Sequence, residues 1–172
     1  MKEAVIVTAC RSAVGKAPRG ILSQTRPEHM GVTVLKELIR RTPGLNTEEI
    51  EDVIIGCSFP EAQQGLNLGR VLATATGLPD SVPGMTVNRF CASGLQAIAI
   101  GAEKIMCGFA DVVIAGGVES MSLIPWAGAL CRPIPRWWTY VRALTSPWGL
   151  RRKTWRKNII SVSYTHLRAH ET

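Results

Sequence analysis

The chain has 172 residues, 46% of them hydrophobic, and a formal net charge of +7, enough for one ordinary domain with a real core. No run of eighteen apolar residues occurs, so no membrane span is expected, and the opening Met1-Lys2-Glu3-Ala4-Val5-Ile6-Val7 lacks a signal-peptide apolar region and cleavage site. Five scattered cysteines, odd in number and without a CxxC pair, argue against a disulfide framework and a structural zinc site, and favour a reduced, cytoplasmic setting.

Taken in chain order, Ala4-Val5-Ile6-Val7 reads as a strand of the kind buried on both faces. The loop Arg11 to Lys16 follows, without the glycine spacing of a phosphate-cradling loop. Pro27 suits the first turn of a helix whose apolar face is Met30, Val34, Leu35 and Leu38, and Pro43-Gly44 ends it. His29 in that first turn reads as a surface residue. Thr47, followed by Glu48 and Glu49, reads as a helix cap with acidic first-turn residues. Val53-Ile54-Ile55 forms a second predicted strand, with Cys57 beyond it in the core. A third helix is predicted from Gln64 to about Thr76, stopped by Gly77 and Pro79. Its Arg70 suits a solvated or inter-subunit charge better than a contact to a ligand phosphate.

Gly84-Met85-Thr86-Val87 is a short β-type run, and from Ser93 onward Leu95, Ile98, Ala99, Ala102 and Ile105 recur at helical spacing. Cys91 therefore falls at a strand-to-helix junction. The positive end of a helix favours a thiolate over a thiol, and a thiolate so placed is a candidate nucleophile. On position alone a buried structural cysteine is the commoner outcome. Cys107, at the far end of this helix, reads as a buried small residue. Asp111-Val112-Val113-Ile114-Ala115 is the next predicted strand, running into Gly116-Gly117-Val118-Glu119-Ser120-Met121-Ser122. Strands alternating with helices indicate a parallel α/β sheet, in which ligands bind beyond the carboxyl ends of the strands, where Cys91 and Gly116-Gly117 fall.

The wording around Cys91 is more specific than its position. Val87, Asn88, Cys91, Ala92, Ser93, Gly94, Leu95, Ala97, Ile98 and Ile105 together resemble the active-site cysteine signature of the thiolases. The opening Thr8-Ala9-Cys10-Arg11-Ser12 through Gly15-Lys16 and the Gly-Gly-x-Glu-x-Met-Ser run at 116–122 are similar to two further thiolase landmarks. The resemblance covers residues 1–125 and leans to the 3-ketoacyl-CoA thiolase (acetyl-CoA acyltransferase) branch. It implies an incomplete thiolase-like N-terminal domain, a mainly parallel sheet with helices on both faces.

Beyond Pro125 no periodic element can be followed. Residues 1–125 carry 11 Lys/Arg against 12 Asp/Glu, residues 126–172 carry 9 against 1, and all five tryptophans, Trp126, Trp137, Trp138, Trp148 and Trp155, lie in the second part. Back-translation accounts for the step. Pro125-Trp126-Ala127-Gly128, read one base earlier, permits Met-Gly-Gly, and Trp137-Trp138-Thr139 forces Val-Asp, as the thiolase resemblance would continue. Residues 126–160 are therefore expected to be a frameshifted tail, and 161–172, which fit neither frame, an adapter-derived artefact. A basic, Trp-rich arm for nucleic acid or anionic membrane would match the charge and aromatics but not the recovered words. His166 and His170, spaced like a helical metal pair, fall within the artefact, and no metal site is expected.

What the resemblance implies is covalent acyl transfer. Cys91 would carry the acyl group as a thioester during CoA-dependent cleavage of a 3-ketoacyl-CoA to acetyl-CoA and a shortened acyl-CoA. The alternatives are acetyl-CoA C-acetyltransferase (acetoacetyl-CoA synthesis) and a non-catalytic thiolase-like lipid-carrier or partner-binding module. No cofactor is bound permanently; coenzyme A is a co-substrate, acyl-CoA and CoA are the partners, and the intact protein is expected to be a dimer or tetramer. Thiolases also carry an activating histidine in Gly-His-Pro and a second cysteine in Cys-x-Gly, and neither motif occurs in this sequence. The chain as it stands is thus expected to be an inactive fragment.

Overall fold

The computed structural model describes residues 2–125. Its elements are α1 (Pro27–Arg40), β1 (Asp52–Gly56), α2 (Leu68–Thr76), β2 (Gly84–Val87), α3 (Ser93–Met106) and β3 (Val113–Gly117), with single 3-10 turns at Thr47–Glu49 and Ala62–Gln64. The three strands form one parallel sheet in the order β2-β1-β3. β1 is central and wholly buried, and its residues divide by parity. Val53, Ile55 and Cys57 pack with Leu35 of α1, with Leu68 and Leu72 of α2, and with Ile114 of β3 in one core. On the other face Gly56 lies against the start of α3, and Asp52 accepts from the Lys104 ammonium near its end, at 2.6 Å. The helices therefore cover both faces of the sheet, the α/β arrangement the sequence predicts.

Local chemistry sets each helix. Pro27 occupies the first turn of α1, Glu28 the dipole's positive end and Arg40 its last turn. Gly31 leaves room for Leu72; a Cβ there would come within 2.7 Å of both its methyl carbons, so this glycine lets α1 and α2 meet closely. Asn67 caps α2 by accepting from the Arg70 N–H, and Gly77 closes it in the left-handed region at φ 90°. Each fully buried Leu, Ile or Val of this core contributes about 1.5–3 kcal/mol relative to exposure. Among the described residues no helix is long and apolar enough to cross a membrane.

Several expectations are corrected. Residues 4–7 form no strand, and Val5, Ile6 and Val7 are largely exposed rather than buried on both faces. A strand is made by its hydrogen-bonding neighbour, and no described segment pairs with this run; Lys2, just ahead of it, makes an ion pair to Asp111 ahead of β3. The cap before Thr47 is Asn46, whose side chain accepts from the Glu48 N–H at 3.1 Å, and it starts one 3-10 turn rather than a helix. α2 begins at Leu68 because Gln64 is committed to a buried hydrogen-bond set of its own. Cys107 caps the C-terminus of α3 and is exposed. Gly116 and Gly117 belong to β3 itself, paired with Ile55 and Gly56, so the loop starts at Val118. The expectations for residues 126–172, among them the tail boundaries, the tryptophans, His166 and His170, lie outside the described residues.

Candidate active site

Register brings three loops to one level. Gly56 of β1 is paired with Val87 of β2 on one side and Gly117 of β3 on the other. The chain leaving each strand, Cys57-Ser58, Asn88 to Cys91, and Val118-Glu119, therefore emerges at the same carboxyl edge, where ligands bind in parallel sheets. The N-terminus of α3 can descend onto that edge because two crossing positions lack side chains. A Cβ on Gly56 would stand 2.3 Å from the Ser93 carbonyl carbon, and one on Gly117 would stand 3.2 Å from the Gly94 Cα.

Cys91 lies two residues ahead of Ser93, the first residue of α3, and is exposed. With Ser58, Phe90, Gly94, Gly117 and Glu119 it lines a cavity of about 200 Å³. Its turn is strained. Phe90 has φ 47°, in the left-handed region that a bulky side chain rarely enters, at a cost of about 1–3 kcal/mol. The surroundings hold it there. The Phe90 N–H donates to Asn88 Oδ1 at 2.9 Å, and its carbonyl accepts from the Ser58 hydroxyl at 2.8 Å and from the Ser93 N–H at 3.0 Å. The buried Ser93 hydroxyl also donates to Phe90 O while accepting from the Arg89 N–H. Ala92, the capping residue of α3, offers no side-chain acceptor, so the Ser93 N–H is taken by the Phe90 carbonyl and no cap side chain competes for the other N–H groups of the first turn.

Behind the turn is a second polar set. Glu119 Oε2 accepts from the Ser58 N–H at 2.5 Å, and Oε1 accepts from Gln64 Nε2. The buried Gln64 also donates to Phe59 O at 2.8 Å and accepts from the Ser120 N–H at 2.8 Å, so every polar group of its amide is used. Cys57 Sγ lies 3.6 Å from Glu119 Oε1; burial pushes its thiol up to about 12, and the carboxylate adds to the shift. Cys57 is thus a protonated core residue and Cys91 the accessible one, although both stand at the same sheet edge.

The other candidates do not join the site. His29 is exposed on α1, where it lines a larger groove of about 490 Å³ between α1 and α2 that contains no cysteine. Arg70 donates to the Val82 and Asp80 carbonyls, which fixes the turn before β2. Among the described residues no cluster of three His, Cys, Asp or Glu could hold a metal ion. Sequence reading named Glu119 only as part of a motif and missed Ser58 and Gln64. A glutamine between two turn signals carries no mark of burial, and its role exists only once Glu119 is brought beside it.

A family model described as the thiolase N-terminal domain matches residues 4–151. The 3-ketoacyl-CoA thiolase of Bacillus subtilis (strain 168) is 53% identical over 133 residues, which are 77% of this chain and 34% of that protein. The 3-ketoacyl-CoA thiolase of Colwellia psychrerythraea is 40% identical over 125 residues, 73% of this chain and 32% of that protein. The β-ketoadipyl-CoA thiolase of Acinetobacter baylyi is 44% identical over 126 residues, 73% of this chain and 31% of that protein. The chain spans about a third of the length of these curated relatives.

Proposed function

The chain belongs to the thiolase family, and from that premise we propose that the intact protein is an acetyl-CoA C-acyltransferase with Cys91 as its nucleophile. The observation that carries the reading is the exposed Cys91 on a strained, heavily hydrogen-bonded turn directly ahead of α3, opening into a cavity. In the forward half-reaction Cys91 Sγ bonds to the keto carbon C3 of a 3-ketoacyl-CoA. The C2–C3 bond then breaks, its electron pair leaves with C2, and C2 takes a proton to give acetyl-CoA. The shortened acyl group stays on Sγ as a thioester. The sulfur of CoA next adds to that carbonyl carbon, and Cys91 leaves as thiolate. Negative charge developing on the carbonyl oxygen in each step lies near the positive end of α3, which favours it.

Coenzyme A is a co-substrate in this reading, acyl-CoA and CoA are the partners, and the working protein is a cytoplasmic homo-oligomer. The proton-transfer groups come from the Gly-His-Pro and Cys-x-Gly segments that the family resemblance implies and this sequence lacks. The 172-residue chain is therefore expected to be inactive by itself, and a gene read through a restored frame to encode the active enzyme.

The test is Cys91→Ser in the intact, frame-restored protein. Mass spectrometry of the Cys91 peptide after mixing with a 3-ketoacyl-CoA should find the acyl adduct in the parent and none in the variant, with acetyl-CoA release lost. Substantial thiolysis by the serine variant would remove Cys91 from the mechanism.

A further inference from the structure

We infer that Glu119 is a positioning residue for the nucleophile, acting through Ser58 on the Asn88–Cys91 turn. The inference rests on the proposed role of Cys91. The connection is continuous. Glu119 Oε2 holds the Ser58 N–H, and Ser58 in turn makes two bonds to the turn: its carbonyl accepts from Asn88 Nδ2 at 3.0 Å, and its hydroxyl donates to Phe90 O at 2.8 Å. Asn88 closes the loop by accepting from the Phe90 N–H. Ser58 is thus the one residue of the β1 loop bonded both to the carboxylate and, through Asn88 and Phe90, to the strained segment. That segment needs external restraint, because a phenylalanine at φ 47° relaxes to the extended or right-handed region once its partners give way.

The chemistry demands a carboxylate at position 119. Both groups aimed at it, the Ser58 N–H and Gln64 Nε2, are donors, with the Cys57 thiol as a third. Gln64 cannot turn over to offer its oxygen instead, because that oxygen receives the buried Ser120 N–H and its nitrogen also serves Phe59 O. A glutamine at 119 would set its own NH₂ against one of those donors. The loop would then shift, and Cys91 would move with Phe90. Glu119 also lines the cavity, so the same residue shapes the space the acyl group enters.

The experiment is a double-mutant cycle in the intact, frame-restored protein with steady-state thiolysis and single-turnover acylation of the Cys91 peptide as readouts. Glu119→Gln should lower kcat and the acylation rate by about 10–100-fold, the range expected for a misplacement near 1 Å, with KM within about twofold. Ser58→Ala, which keeps the N–H and loses only the hydroxyl tie to Phe90, should lower kcat in the same direction. In the Ser58→Ala background Glu119→Gln should cost clearly less than alone, because both act through one residue. Protection of Cys57 from alkylation checks that each variant is folded. If Glu119→Gln loses that protection, Ser58→Ala decides by itself, and a wild-type kcat there overturns the inference. So does a folded Glu119→Gln with wild-type kcat, or an equal factor in both backgrounds. Thiolysis surviving Cys91→Ser would instead overturn the nucleophile assignment, a separate outcome read from a different variant.

Discussion

Gly56→Ala gives the sharpest test of how the site is built. The added Cβ would lie 2.3 Å from the Ser93 carbonyl carbon and 2.4 Å from the Gly94 nitrogen, against ordinary contacts that begin at 3.4 Å. All the offending atoms are backbone, so no rotamer change relieves them, and the start of α3 must lift from β1 by about 1 Å. Overpacking of a dense core costs about 1–3 kcal/mol, and the absence of a yielding side chain argues for the upper end, about 3 kcal/mol. That is a large share of the roughly 5–15 kcal/mol available to a folded domain. Gly94→Ala is the matched control. A Cβ there would meet the Gly117 Cα at 3.8 Å, an ordinary contact, and its position in α3 favours alanine, so a change between zero and about 1 kcal/mol of stabilisation is expected. Urea unfolding of the purified chain, followed by far-UV circular dichroism and by exposure of Cys57 to alkylation, measures both. Wild-type stability in Gly56→Ala, or a larger loss in Gly94→Ala than in Gly56→Ala, would refute the argument that α3 rests on bare β1 backbone.

Four further outcomes follow from the same structure. At neutral pH iodoacetamide should modify the exposed Cys91 and Cys107 and spare Cys57, which should react only on unfolding; early labelling of Cys57 in the native chain would contradict its burial. Because the Cys57 thiol is raised in the folded state from about 9 to about 12, its contribution is complete below about pH 9 and lost as pH rises toward 12, so Cys57→Ala should flatten the alkaline loss of stability. The guanidinium groups of Arg40 and Arg41 hold the Glu37 carboxyl at about 2, so its contribution is present above about pH 4.5 and lost as pH falls toward 2; the difference between wild type and Glu37→Gln should vanish over that window. Lys104→Met should destabilise by about 3–5 kcal/mol by leaving Asp52, 4% exposed, as an unpaired buried carboxylate, and Asp52→Asn added to it should recover much of the loss in the same urea titration.

Much of the fold was legible because its signals are local. The helix starts at Pro27 and Ser93, the stop at Gly77 and the apolar run Val53-Ile54-Ile55 each depend on residues within one or two turns of them. Cys91 was legible for the same reason, as a cysteine between a β-type run and a helical period. What stayed hidden depends on partners distant in the chain. Val5, Ile6 and Val7 have strand composition but no described neighbour to pair with, and Cys107 has a buried residue's chemistry at an exposed helix end. Glu119 meets Ser58 and Gln64 across 61 and 55 positions, a separation that hydrophobic periodicity does not report.

The site also explains why the three short strands of the described residues suffice to position it. β1 delivers Cys57 and Ser58, β2 delivers the Asn88–Cys91 turn, and β3 delivers Glu119; no strand holds two of these parts. Their alignment is a matter of register. A one-residue slip of β3 against β1 would turn Ile114 out of the α1/α2 core and move Glu119 by about 3.3 Å along the edge, beyond reach of the Ser58 N–H. In the direction that brings Val118 opposite Gly56, the slip would also set a side chain where Gly117 now crosses Gly94. Core packing and site geometry therefore select the same register. The apolar residues that make the sheet stable are, through that register, what bring Glu119 to the loop that holds Cys91.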